Sequence, residues 1–312
     1  MELIRGIQNI KPQHHGCVLT IGNFDGVHLG HQAVLAQVKA HAVALGLPLT
    51  AMVFEPQPQE LFTPELAPAR LMRLRDKYVH LARAGVDRLL CVSFNHHFAA
   101  MSAERFVEEL LVEKLGVKFL GVGDDFRFGA GRHGDYALLQ QAGAKHGFVV
   151  VNNHSYCVDA LRVSSTAIRQ ALYQDDLAQA ESLLGRPYSI SGRVAHGNKL
   201  GRTIGFPTAN IPLKRRVAPV NGVYAVEVLG IGDTPLPGVA NIGTRPTVDG
   251  VRQQLEVHLF DINVNLYGRQ LEVVLREKIR PEMRFSSFEA LTAQIAQDAR
   301  TARHYFHLPV AS

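Results

Sequence analysis

Val18-Leu19-Thr20-Ile21-Gly22-Asn23-Phe24-Asp25-Gly26-Val27-His28-Leu29-Gly30-His31 is the stretch on which the N-terminal half turns. An apolar run, Val18 to Ile21, leads into a glycine-rich segment, and an amphipathic pattern from Gln32 to Leu45 leads out of it. That order predicts a strand, a tight turn and a helix. The first amides of a helix have no partner inside the helix, and the aligned peptide dipoles leave that end partly positive. A phosphate is the natural guest there. Gly22, Gly26 and Gly30 carry no Cβ, so backbone can come close to such a guest. His28 and His31 are three apart and would share one face of a first helical turn. Two imidazoles beside exposed amides suit charge developing on a phosphoryl group. The bare His-x-x-His could equally be half of a zinc site, but no cysteine cluster completes it.

The rest of the chain bounds the answer. Its 312 residues are enough for one large domain or two ordinary ones, and a 46% hydrophobic share allows a sizeable core. Cys17, Cys91 and Cys157 are far apart and odd in number, so neither a disulfide framework nor a zinc ribbon follows, which favours a reducing compartment. Met1 to His15 contains no apolar run of signal-peptide length, and no stretch approaches the ~20 apolar residues that span a bilayer. A soluble cytoplasmic protein without a membrane partner is expected, monomeric or weakly oligomeric. The net charge of +5 is spread along the chain rather than clustered, which suits small polyanions such as nucleotides and predicts no nucleic-acid partner.

Strand-like runs at Val18 to Gly22, Leu49 to Phe54, Arg88 to Val92, Phe119 to Gly123 and Phe148 to Val151 alternate with helical patterns. The helices are expected at Gln32 to Leu45, Leu74 to Ala84, Ala103 to Leu115 and Asp135 to His146. This alternation predicts a parallel sheet with helices on both faces and ligands at the carboxyl ends of its strands. Gly129-Ala130-Gly131-Arg132-His133-Gly134 fits a dinucleotide fingerprint by letter only. Loop residues separate it from the preceding strand, whereas a true fingerprint makes the strand-to-helix turn itself. In Arg162-Val163-Ser164-Ser165-Thr166-Ala167-Ile168-Arg169, a serine can cap a helix running through Leu172. The two arginines that bracket its start also make it a second anion site.

A short helix from Asp176 to Leu184 is expected to stop at Gly185-Arg186-Pro187, dividing the chain into domains 1–185 and 186–312. Beyond it, Tyr188 to Ala195, Gly222 to Leu229, Leu236 to Ile242, Arg252 to Asp261 and Gln270 to Ile279 read as closely spaced strands of a small antiparallel barrel. Ser286-Ser287-Phe288-Glu289 fits a capping box. Phe288, Leu291, Ile295 and Ala299 recur at helical spacing, so a last helix should lay that face on the barrel.

The densest motif of this half runs from Gly192 to Asn210, GRVAHGNKLGRTIGFPTAN. It lacks the Gly-Lys-Ser/Thr ending of a Walker loop, yet its glycines would let backbone fold over a polyphosphate. Thr208 and Asn210, two apart on extended chain, point the same way and offer hard neutral oxygens to one edge of a Mg²⁺ ion. In Leu255-Glu256-Val257-His258-Leu259, alternation puts the apolar residues on one face and Glu256 with His258 on the other. A carboxylate held in a barrel mouth there could take the proton of a substrate hydroxyl.

These motifs together resemble one family. Gly22-Asn23-Phe24-Asp25-Gly26-Val27-His28-Leu29-Gly30-His31-Gln32 is similar to the nucleotidyltransferase signature shared with class I aminoacyl-tRNA synthetases, in the form found in bacterial bifunctional riboflavin kinase/FAD synthetases. Gly123 to Gly129 resembles that family's second adenylyltransferase motif, and Ser164-Ser165-Thr166 with Arg169 its replacement for the synthetases' triphosphate loop. Gly192 to Asn210, Asn241 to Thr247, Glu256-Val257-His258 and Arg280-Pro281-Glu282 resemble its kinase half, and the likeness spans about residues 15 to 303.

The resemblance implies a Rossmann-like α/β nucleotidyltransferase domain followed by a six-stranded antiparallel β-barrel with a terminal helix. It implies phosphorylation of riboflavin to FMN by ATP and Mg²⁺, then adenylylation of FMN by a second ATP to FAD and pyrophosphate. His28, His31 and Glu256 would be catalytic. Gly22, Phe24, Gly30, Arg162, Ser165, Thr166 and Arg169 would bind ATP for adenylylation, and Asp125, Phe126 and Phe128 would bind FMN. Val194, His196, Gly197, Gly201, Arg202, Phe206, Pro207, Thr208 and Asn210 would bind the kinase ATP, with Thr208 and Asn210 holding the metal. An adenylyltransferase for a pantetheine or nicotinamide mononucleotide acceptor leaves the second half unexplained. A flavin- or RNA-binding regulator with degenerate sites is opposed by the intact His28, His31, Thr208, Asn210 and Glu256.

Overall fold

A computed structural model describes residues 1–309 apart from 124, 154–155, 159–160, 197–205, 214–216, 248–249 and 263. The chain forms two compact units, Met1–Pro68 with Leu74–Ser164, and Ala69–Arg73 with Ser165–Ser312.

The first unit is built on a fully parallel sheet of β1 (Glu2–Arg5), β2 (Cys17–Ile21), β3 (Leu49–Glu55), β4 (Arg88–Ser93), β5 (Val117–Val122) and β6 (Val149–Asn152), in the order β1-β4-β3-β2-β5-β6. Every residue of β2 is buried. A central parallel strand has no solvated face, which is why such strands read as unbroken apolar runs. The helices are α1 (Leu29–Leu45), α2 (Pro58–Phe62), α3 (Leu74–Arg83), α4 (His96–Ala99), α5 (Ala103–Arg105) and α6 (Tyr136–His146). The five expected strands and four expected helices are all there. β1, an edge strand paired in parallel with β4, is additional.

The expected helix from Ala103 is not α-helical throughout. After the α5 turn it widens into a π-helix, Phe106–Lys114. Its buried residues, Phe106, Val107, Leu110 and Leu111, recur at intervals of four, which suits a wider turn than 3.6 residues. From β2 the chain steps outward through β3 and β4, then returns to the other side of β2 for β5 and β6. The order reverses at β2, so the crevice at its carboxyl end is the place where such sheets bind ligands. The glycine-rich turn lies at that end. A short antiparallel pair, β7 (Cys157–Val158) and β8 (Leu161–Arg162), closes the unit.

The second unit opens with α7 (Ser165–Tyr173) and α8 (Leu177–Leu184). Asp176 caps α8 by accepting from the Gln179 amide at 2.8 Å, and Gly185, at φ +74°, ends it in the left-handed region that favours glycine. Six antiparallel strands follow: β9 (Ser189–Arg193), β10 (Ala209–Pro212), β11 (Gly222–Leu229), β12 (Leu236–Thr247), β13 (Gly250–Leu259) and β14 (Gln270–Arg280). Their order is β10-β13-β12-β11-β14-β9. The two edge strands meet where the Ala195 amide donates to the Asn210 carbonyl at 2.8 Å, so the sheet is a nearly closed barrel. β10 begins at the last two residues of the glycine-rich motif and was not expected as a separate strand.

The final helix is α9 (Phe288–Tyr305). Ser287 caps it by accepting from the Ala290 amide at 3.1 Å. Glu289 therefore sits at the second helical position, not the third, and the expected capping box does not form. The packed face holds at Ala299 but not at Phe288. Phe288 is 53% exposed, whereas Ala299 and Ala302 pack against Val223, Ala225, Val239 and Phe260. Small residues let the helix approach the barrel closely, and ion pairs fix it there. Arg280 Nη2 meets Asp298 at 2.7 Å, while Arg303 pairs with Asp261 and lies 4.6 Å from the centre of the Phe260 ring.

Candidate functional site

At the end of β2 the Gly22 amide still bonds to the Met52 carbonyl at 3.1 Å. The chain then turns through Phe24 (φ +47°), Gly26 (φ +93°) and Val27 (φ +40°). Only glycine adopts such angles cheaply; the other two residues cost on the order of 1–3 kcal/mol each. Their side chains are 3% and 1% exposed, so burial of the apolar groups offsets the strain. The turn is thereby fixed rather than loose.

His28 is not on the first helical turn, as the spacing suggested, but is the N-cap of α1. Its Nδ1 accepts from the His31 amide at 3.2 Å, which places the hydrogen of a neutral ring on Nε2. The ring folds back on His31, with centroids 3.6 Å apart and planes at 17°. Burial, and then the charges of His28 and Lys77, hold the His31 imidazole well below the usual histidine range. His31 Nδ1 is buried with no hydrogen-bond partner. Neutral imidazole N–H groups at the positive end of a helix can donate to phosphate oxygens without being acids.

A Cβ on Gly30 would lie 3.2 Å from the His28 ring and 3.2 Å from the Val163 carbonyl oxygen. The Arg162-Val163-Ser164 segment therefore passes directly over the start of α1, which brings that motif to the histidines. Arg162 is exposed at the end of β8. Ser165, Thr166 and Arg169 lie on α7 in the second unit, where Arg169 Nε donates to the Ala69 carbonyl at 2.6 Å.

Phe128 is buried and packs 5.1 Å from Phe106, while Phe126, half-buried, stacks on it at 5.7 Å with planes at 15°. Asp125 is exposed. Phe54, Phe94, Phe98 and Phe106 continue these rings at centroid spacings of 5.5 to 6.4 Å. The array begins at the carboxyl ends of β3 and β4, and most of it was invisible in the sequence because its members come from separate segments.

On the barrel, alternation along β13 holds. Leu255, Val257 and Leu259 are buried, and Glu256 lies on the opposite face of the strand. The carboxylate therefore lies on the face of β13 opposite its buried apolar residues. Register sets Glu256 between Asn210 of β10 and Asn241 of β12. Asn210 Nδ2 donates to the Thr208 carbonyl at 3.3 Å, and its Oδ1 accepts from Gln254 Nε2. The same Gln254 nitrogen donates to Glu256 Oε1 at 3.1 Å. Glu282 presses against this face, since a Cβ on Gly243 would lie 2.0 Å from its Oε1.

His258 Nδ1 donates to the Pro207 carbonyl at 3.0 Å, and burial is the main cause that lowers its pKa. Phe206 packs edge-on to that ring. His196 stacks on Tyr267 at 4.0 Å, and Val194 is a buried residue with both backbone groups bonded near the β14 end. Gly197, Gly201 and Arg202 lie outside the described residues. Among the described residues no group of three or more His, Cys, Asp or Glu could hold a metal ion. Hydroxyl and amide oxygens such as those of Thr208 and Asn210 are the hard neutral donors that Mg²⁺ would take beside water and phosphate. Gln254 and Glu282 carry no role in the sequence reading. Alternation alone would have put Gln254 beside Glu256, and Glu282 sits in a motif already noted.

Both halves of the chain match known families. Residues 10–167 match the FAD synthetase family and residues 184–306 the riboflavin kinase family. The chain is 62% identical over 310 residues to the bifunctional riboflavin kinase/FMN adenylyltransferase of Escherichia coli (strain K12), covering 99% of each. It is 54% identical over 307 residues to the protein of that name from Haemophilus influenzae, covering 98% of this chain and 100% of the relative. A crystal structure described as a macrolide-efflux protein from Streptococcus pneumoniae aligns with a TM-score of 0.78 at 30% identity, covering 97% of this chain and 99% of that one. Among the described residues no helix is long and apolar enough to cross a membrane. With a parallel sheet carrying the histidine turn, a barrel carrying Glu256 between two asparagines, and relatives of one name matched over almost the whole chain, this chain belongs to the bifunctional riboflavin kinase/FMN adenylyltransferase family.

Proposed function

We propose that the family's two reactions run at the two sites described above, one per site, with the division of labour near residue 185. The barrel phosphorylates riboflavin. Glu256 accepts the proton of the 5′-hydroxyl as its oxygen attacks the γ-phosphorus of ATP, and ADP leaves. Thr208 and Asn210 would hold Mg²⁺, which when bound neutralises charge on the transferring phosphates. Val194, His196, Phe206 and Pro207, with Gly197, Gly201 and Arg202, form the proposed ATP cradle. The stacked His196 and the backbone around Val194 give it a rigid border.

The first reaction's product is the substrate of the second. A phosphate oxygen of FMN attacks the α-phosphorus of a second ATP, and pyrophosphate leaves. That oxygen is already anionic, so no base is required. His28 Nε2–H and His31 donate to oxygens as charge builds on the α-phosphate, assisted by the helix amides, and Gly22, Phe24 and Gly30 shape the approach. Arg162, Ser165, Thr166 and Arg169 are proposed to bind the polyphosphate. Asp125, Phe126 and Phe128 are proposed to bind FMN; the exposed Asp125 and half-buried Phe126 would meet it, while the buried Phe128 supports Phe126 from behind. A cytoplasmic location, a monomeric or weakly oligomeric state and the absence of a nucleic-acid partner complete the reading. They rest on spread positive charge and on activities that need only small molecules.

The observation that carries the division is chemical. The barrel sets a carboxylate between two amide side chains, whereas the start of α1 presents the stacked imidazoles of His28 and His31. His28→Ala should abolish FAD formation and leave FMN formation intact. Glu256→Gln should abolish FMN formation and leave adenylylation of supplied FMN. Chromatography of products from riboflavin, ATP and Mg²⁺ reads both. Loss of both activities in either folded variant would overturn the two-site assignment.

A further inference from the structure

Gln254 occupies a position that none of the motifs assigns. It is half-buried on the same face of β13 as Glu256, two residues away. A glutamine amide nitrogen carries two hydrogens. One goes to Asn210 Oδ1 and the other to Glu256 Oε1, so both donors are spent on the two groups that the kinase reading assigns to metal and base. The orientation is forced from both ends. Asn210 gives its Nδ2 hydrogens to the Thr208 carbonyl, which leaves Oδ1 facing Gln254, and an ionised carboxylate can only accept.

We infer that Gln254 is a positioning residue of the kinase site, joining the Asn210 metal-ligand oxygen to the Glu256 carboxylate through one amide nitrogen. The inference rests on the roles proposed for Asn210 and Glu256. The bridge fixes the distance between the base and the metal-bound nucleotide, which is the distance that in-line transfer depends on. It leaves the second lone pair of Asn210 Oδ1 for a cation. Lysine could reach both oxygens but would bring a charge that competes with a divalent ion, and glutamate has no hydrogen to give.

The test uses the full chain with Gln254→Leu and Gln254→Glu. Both should lower kcat for FMN formation about 10- to 100-fold. The Mg²⁺ concentration for half-maximal kinase rate should rise, and so should the Kd for Mg·ADP read by calorimetry. Adenylylation of supplied FMN should change less than about twofold, within the range of an unaffected second site. Glu256→Gln and Asn210→Ala are run beside them. If these two lose kinase activity while a folded Gln254 variant keeps its rate, Mg²⁺ dependence and Mg·ADP affinity, the bridge has no positioning role. If both Gln254 variants lose both activities together, Gln254 is structural and the inference fails. If Glu256→Gln itself keeps full kinase activity, the parent assignment is at fault, and the two failures are told apart. Gln254→Glu keeps the size of the side chain and serves where the leucine variant does not fold.

Discussion

Gly30→Ala separates stability from activity in one atom. Gly30 lies in the first turn of α1 with an ordinary helical φ, so alanine is the better helix former by about 1 kcal/mol. Against that gain, the new methyl would sit 3.2 Å from the His28 ring and 3.2 Å from the Val163 carbonyl. Both contacts are a few tenths of an ångström too short, and relieving them costs about 1–3 kcal/mol in a packed site. The two terms nearly cancel, and the melting temperature should fall by no more than about 5 °C. Activity has no such compensation. The ring that must yield is the N-cap of the helix, and its Nε2–H is aimed by the bond from the His31 amide. A 1 Å misplacement of a positioning group costs about 100-fold in rate, and a shift of a few tenths of an ångström correspondingly less, so FAD formation should fall about 3- to 20-fold. FMN formation should stay at the unmutated level. The assay is product chromatography with riboflavin or FMN supplied in turn, beside a thermal melt. FAD formation within twofold of the parent would refute the claim that His28 ring placement limits the reaction.

Three further outcomes follow from the packing. His31 has its pKa lowered by burial, so below about pH 6.5 the unfolded chain binds a proton that the native site refuses. Stability should fall on acidification through that range, by at most about 1.4 kcal/mol per pH unit for this group, and His31→Gln should flatten the slope in urea titrations at pH 7.5 and 5.5. Asp298→Ala should strand the partly buried Arg280 guanidinium and cost about 3–5 kcal/mol, measured as the fall in the barrel's unfolding midpoint. Gly243→Ala meets the far end of the exposed Glu282 side chain, which can swing away; stability should change by less than about 1 kcal/mol, while the kinase KM for riboflavin or ATP reports whether Glu282 was in place.

What the sequence showed and what it hid divide along a physical line. The central strands were legible because a parallel strand covered on both faces is a continuous apolar run, as in Cys17–Ile21. β1 was not, because two apolar residues between Glu2 and Arg5 make no pattern, and only its pairing with β4 defines it. The start of α1 was placed late, at Gln32, since histidine is not among the usual capping residues and His28 therefore gave no start signal. The separate candidate residues were legible by chemical type, but their relations were not. That Glu256 faces Asn210 and Asn241 depends on the register of three strands, which alternation cannot supply. Gln254 matters only once that register is known, because its amide reaches across to β10 as well as along its own strand. Local pattern thus names the donors and acceptors, and the closure of the barrel decides which of them share a hydrogen. On the roles proposed above, that is the level at which the two chemistries are kept apart: a carboxylate stands where a hydroxyl must lose its proton, and imidazoles stand where the nucleophile arrives charged.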